Sequence, residues 1–161
     1  MLVQRPYETS QGQSDFNAEI LGGMLTFSNL FYDLVTKNLA PFGISKSQFD
    51  ILGYLYYFSE QSPVNLTELS KVLLLSKANV SGVLSRLEDK GLIHFIQSRK
   101  DARVREIRLT DKGKELTEKT FPNYRDVIDE AMQELSGDEK NFLMLTIKKL
   151  CNSLISASKS K

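Results

Sequence analysis

The chain has 161 residues, of which 41% are apolar and 25% charged, with a formal net charge of +1, one cysteine and one histidine. This length suits one domain with a buried core, and the composition excludes a disordered or fibrous chain. The lone Cys151 excludes an internal disulfide or a multi-cysteine metal cage and fits a reducing compartment.

In chain order, residues 1–15 carry acidic side chains and no apolar run, and read as a flexible leader with no secretory signal. No uncharged apolar stretch reaches membrane-spanning length, so a cytoplasmic protein without membrane contact is expected. From Phe16 to Ala40, Ile20, Met24, Phe27, Leu30, Phe31 and Leu34 repeat at three-and-four spacing, the mark of one long helix. Gly22 and Gly23 inside it imply a bend or the close approach of another helix, and Pro41 and Gly43 end it. Ser45 with Gln48 forms a capping box for a second helix reaching about Ser59. Asn65 with Glu68 repeats the signal for a short third helix through about Leu73. Ser76 caps a fourth helix, whose inward stripe is Val80, Val83, Leu84 and Leu87 and whose stop is Gly91. Two short helices so close together make a helix-turn-helix.

After Gly91 the period becomes that of strands: Leu92, Ile93, Phe95 and Ile96, a polar turn SRKDAR, then Val104, Ile107 and Leu109 with charges between them. This predicts a β-hairpin with a basic tip. Thr110 or Asp111 opens a fifth helix, interrupted or kinked at Pro122. Ser136 with Glu139 caps a last helix bearing Leu143, Ile147, Leu150 and Leu154 on one face. The charge follows this layout. Residues 71–108 carry nine basic and four acidic side chains, residues 1–70 three and seven, and the remainder nine of each. A basic stripe on a nearly neutral protein is the footprint of a polyanionic partner.

The stretch LTELSKVLLLSKANVSGVLSRLEDKGLI, followed by RKDARVREIRLTDKG, resembles the MarR family of bacterial and archaeal regulators. ISKSQFDILGYL before it and LSGDEK after it sit where that family places its second and sixth helices. The most specific element is the hairpin and its exit: Asp101, Arg103, Leu109, Thr110 and Gly113. Two positions depart from the pattern: Leu74 stands in the turn where a small residue is common, and Phe95 where an Arg often follows the start of the wing.

The resemblance implies a mainly α fold with a small β-hairpin wing. A winged helix-turn-helix domain would span 45–110, and a helical dimerisation region 16–44 and 111–158. It also implies a homodimer held by the first and last helices, through Phe16, Ile20, Leu143, Ile147, Leu150 and Leu154, and often a small-molecule effector between the halves.

An α-helix fits the major groove and presents its N-terminal residues to base edges. With the inward stripe fixed, the residues left to read DNA are Ser76, Lys77, Ala78, Asn79, Ser81, Gly82 and Ser85. Ser76 and Asn79 serve equally well as cap and first-turn residue. In the wing, Arg99, Lys100, Arg103 and Arg105 alternate with Asp101. Such a tip can place a guanidinium in a narrow minor groove while others meet phosphates, or its charges can merely prevent edge-to-edge pairing of strands. Family likeness implies Arg103 in the groove and Asp101 orienting a neighbouring Arg. Phe27, Phe31, Tyr54 and Tyr57 line either a pocket for a small aromatic or anionic effector or plain core.

Enzymatic readings find no support. His94 and Cys151 lie on distant elements, too few ligands exist for zinc, and no phosphate-loop motif occurs, so no catalytic residue, metal or cofactor is expected. Cys151 reads as core packing before a redox switch. The function expected is a transcriptional regulator, a repressor in the first instance, binding pseudo-palindromic double-stranded DNA as a homodimer. The alternative is a winged-helix module that binds protein, and the density of Arg and Lys between Arg99 and Arg108 speaks against it.

Overall fold

The computed structural model describes residues 15–97 and 104–159. Its elements are α1 (Phe16–Leu39), a 3-10 turn (Ala40–Phe42), α2 (Lys46–Phe58), α3 (Leu66–Val72), α4 (Lys77–Asp89), β1 (Ile93–Gln97), β2 (Arg105–Leu109), α5 (Asp111–Met132) and α6 (Gly137–Lys159). The strands pair antiparallel, with Ile93 opposite Leu109, Phe95 opposite Ile107 and Gln97 opposite Arg105.

The helices start where short polar side chains satisfy the unpaired amides of a first turn. The Asp15 carboxylate accepts from the Asn17 and Ala18 amides. Ser45 and Gln48 close a reciprocal capping box, and Ser136 and Glu139 close another. At Asn65 only half of the expected box forms. Its side chain accepts from the Glu68 amide at 3.0 Å, but the Glu68 carboxylate is taken by the Tyr54 hydroxyl, also at 3.0 Å. Burial first, and this bond second, raises the Tyr54 pKa. Thr110, rather than Asp111, caps α5: its hydroxyl accepts from the Gly113 amide at 3.0 Å and donates to the Gly91 carbonyl at 2.7 Å. α5 is not interrupted at Pro122, where only the bond from the missing N–H is lost.

The core forms where the helical and strand stripes meet. Ile51, Leu52 and Leu55 of α2, Leu69 of α3, Val80, Leu84 and Leu87 of α4, and Ile93 and Ile107 of the hairpin are all buried. At roughly 1.5–3 kcal/mol for each such side chain, this cluster dominates the stability of the winged part. The packing divides the chain into two units between Tyr124 and Arg125. The first unit thus takes in α1 and the start of α5 along with 45–110, a wider unit than the expected winged domain. Aromatic contacts explain this, since Tyr124 meets Phe31 at 6.3 Å and Phe49 at 4.7 Å between ring centroids.

Two helix ends show what glycine does and what its absence costs. After α4, Gly91 at φ +67° lets Leu92 N–H reach the Leu87 carbonyl and Gly91 N–H the Glu88 carbonyl. After α3 the same two bonds form, from Leu75 to Ser70 and from Leu74 to Lys71, but the left-handed residue is Leu74 at φ +53°. Leu74 is 90% exposed, so no burial offsets that strain. Gly113 is constrained differently: a Cβ there would lie 2.0 Å from the Leu92 carbonyl oxygen.

Gly113→Ala is therefore expected to cost about 1–3 kcal/mol, towards the upper end because the obstacle is backbone. A thermal melt unchanged from the parent would contradict it. Leu74→Gly is expected to gain about 0.5–1 kcal/mol, the relieved strain less the added freedom of the unfolded chain. A denaturant midpoint below the parent's would refute that.

Candidate nucleic-acid interface

α4 is held at both ends by groups that leave its outer face free. At its start the Ser76 hydroxyl accepts from the Asn79 amide at 3.2 Å, so Ser76 is the N-cap. Along its length Val80, Val83, Leu84 and Leu87 are buried, as their spacing predicts. The opposite face presents Lys77, Ala78, Asn79, Ser81 and Ser85 to solvent, with Gly82 half-buried. The face is polar and low, built from side chains that do not prevent a helix from seating deeply in a groove.

Beside this face runs a cleft of about 720 Å³ between α3, α4 and the root of the hairpin. Ser81, Ser85 and Glu88 of α4 form one wall, Phe95, Val104 and Arg105 another, and Thr67, Glu68 and Lys71 of α3 close it. The Arg105 guanidinium lies over the Phe95 ring, 4.2 Å from its centroid. This contact contributes about 0.5–1 kcal/mol and gives Phe95 a role where the family pattern has Arg. The pair is diagonal across the strands, because Phe95 faces Ile107 and Arg105 is two residues before it. Arg99, Lys100, Asp101 and Arg103 lie outside the described residues.

Not every cation of the basic stripe is available to a partner. Arg108 donates to the Ser59 carbonyl at the end of α2 and pairs with the buried Glu106 at 3.4 Å. Lys90 donates to the Gly43 carbonyl at 2.5 Å and to the Gln48 side chain at 3.2 Å. Both tie the winged part together. The hairpin is further stitched down by the Ile107 amide, which donates to the Val64 carbonyl at 2.8 Å. Strand alternation marks Glu106 and Arg108 as one outward-facing pair, and does not reveal that the end of α2 covers them.

The aromatic residues fall into two groups. Phe27 stacks on Phe31, which leads through Tyr124, Phe49 and Phe121 to Tyr57. Tyr54 is elsewhere, packed on Phe58 and bonded to Glu68, so the four residues expected at one pocket do not meet at one point. Phe16, Ile20, Leu143, Ile147, Leu150 and Leu154 are all exposed. Cys151 is exposed too, contrary to the core role expected of it, because the apolar residues around it on α6 are themselves uncovered. Among the described residues no cluster of His, Cys, Asp and Glu is arranged to hold a metal, and no helix is long and apolar enough to cross a membrane.

Residues 42–104 match the sequence model of the MarR family. The HTH-type transcriptional regulator YkoM of Bacillus subtilis (strain 168) is 35% identical over 107 residues, which are 66% of this chain and 68% of that one. The chain belongs to the MarR family. Among solved structures, the S. aureus MepR–DNA complex aligns over 91% of this chain and 99% of its own, with a TM-score of 0.75 at 23% identity. A mutant E. coli MarR complexed with operator DNA aligns over 86% and 99%, with a TM-score of 0.73 at 26% identity.

The cleft makes opposed demands on two of its side chains. If a sugar-phosphate strand passes between α4 and the hairpin, Arg105→Ala should weaken retention of duplex DNA and lower the salt slope by about one. Glu88→Gln, which removes a carboxylate from the same wall, should tighten it at low salt. A tighter Arg105→Ala complex, or a weaker Glu88→Gln one, in a salt titration would show that the strand runs elsewhere.

Proposed function

We infer that this chain is a DNA-binding transcriptional regulator that reads the major groove with α4. The observation that carries this is the continuity of the exposed, small-residue face of α4 with a cleft bearing Lys71 and Arg105. Membership of the MarR family supports it. The similar MepR and MarR structures are complexes of those proteins with DNA, which favours DNA over a protein as the partner of this surface. A DNA partner in turn favours the cytoplasm, and no step of this function calls for a catalytic group.

The working unit proposed is a homodimer. Among the described residues, α1 and α6 each carry eight exposed large apolar side chains, including Phe16 and Leu25 on the first and Phe142 and Leu154 on the second. Patches of that extent seek a partner. Gly23 of α1 adds to this, since a Cβ there would meet nothing within 4 Å among the described residues and the surface stays low for a second helix. Such a dimer occupying a promoter would repress by exclusion. An effector would act at the chain of rings from Phe27 to Tyr57, whose two ends are exposed. It would shift the equilibrium only as far as its affinities for the competent and incompetent arrangements differ.

One experiment tests both the partner and the symmetry. A two-fold dimer requires half-sites about one helical turn, roughly 10 bp, apart. On the duplex selected from the DNA upstream of its own coding region, inserting half a turn between half-sites should abolish tight binding, and a full turn should restore part of it. A protein indifferent to both insertions does not bind as this dimer, and one that retains no duplex at low salt is not the regulator proposed.

A further inference from the structure

Gly82 occupies the middle of α4, where glycine costs about 1 kcal/mol relative to alanine. Its backbone does not call for glycine, because the left-handed glycines among the described residues are Gly43 and Gly91. Packing does not call for it either. Among the described residues, a Cβ at Gly82 would meet one atom within 4 Å, the Arg86 Nη1 at 3.8 Å, an ordinary contact with the end of a flexible side chain. Gly113, whose Cβ would collide with backbone, shows what a glycine required by the fold looks like. Nothing among the described residues thus requires the surface to be bare at Gly82.

The atom near Gly82 names the other half of the arrangement. Arg86 is exposed, and among the described residues its side chain makes no ion pair or hydrogen bond, although Glu88 and Asp89 are two and three positions away. Its side chain leans back over Gly82, towards the N-terminal end of the helix, in the direction helical side chains take. The guanidinium is thus carried from the rim of α4 towards the strip where Ala78, Ser81 and Ser85 stand, with its donors unspent. A planar fork of N–H donors in the major groove matches one base edge best, the N7 and O6 acceptors of guanine.

We propose that Arg86 is a guanine-reading residue of α4, and that Gly82 is the gap through which its guanidinium and the base edge meet. This rests on the DNA-binding reading above and adds a residue to it, since no residue from Ser76 to Ser85 carries a guanidinium. A phosphate contact by Arg86 is the rival, and it differs in one respect: it would not depend on sequence.

The test is selection from a library of randomised duplexes with the full-length protein. Affinity is then measured for the winning duplex and for a scrambled duplex of the same composition. The parent should enrich a guanine at a symmetric position in each half-site. Arg86→Ala should lose about 5- to 150-fold on the winner and close to nothing on the scrambled duplex, and its own selection should no longer return that guanine. Arg86→Lys should not restore it, because an ammonium lacks the fork. Gly82→Ala should melt about 2–4 °C higher yet bind the winner more weakly. Equal losses on both duplexes, a reselected guanine, or Gly82→Ala binding the winner as tightly as the parent would each overturn the proposal. If the parent itself enriches no sequence, the DNA-reading function fails, and that failure is distinct because it appears before any variant is made.

Discussion

The approach of Gly113 to the Leu92 carbonyl sets the geometry on which the winged part depends. The first turn of α5 can lie against the entry to the hairpin only because Gly113 has no side chain. Thr110 then fixes the junction from both sides, its amide donating to the Leu92 carbonyl at 3.1 Å and its hydroxyl to Gly91. Gly91 ends α4 and Thr110 begins α5, so one junction fixes the end of α4, the start of the hairpin and the departure of α5. A shift there would move all three together.

Around that junction the polar groups divide by task. Lys90 joins the end of α4 to the start of α2, and Arg108 joins the hairpin to the end of α2. These are interactions between charged groups and carbonyls or buried partners, stronger than neutral bonds and costly to leave half-made. The surface pairs Lys119–Glu115 and Arg125–Asp129 are exposed on both sides and contribute little to stability. Lys71 and Arg105, by contrast, line the cleft and are exposed. A basic stripe counted from sequence thus overstates the charge offered to a partner.

What the sequence made legible was whatever is local. Ser45, Ser76 and Ser136 are readable as caps because the partner amide is always three residues on, and the α4 stripe is readable because one helix repeats one spacing. The Asn65 box fails at its second half for a non-local reason: Tyr54, fourteen positions away, competes for Glu68. The two aromatic groups separate for the same reason, since period shows that Phe27 and Tyr54 belong to helices but not which neighbours their rings meet. The exposure of Cys151 was illegible because an apolar stripe on α6 looks the same whether its cover belongs to the same chain or to another.

The supports of α4 come from its two ends and from its buried stripe, through Ser76, the Gly91 turn, Leu84 and Leu87. None of them comes from Lys77, Ala78, Ser81 or Ser85. Those positions can therefore change identity with little effect on folding, and under the proposed reading of DNA by α4 a lineage carrying this scaffold could drift from one operator to another through stable intermediates. The fold separates what must be inherited from what is free to diverge, and it does so between adjacent residues of one helix.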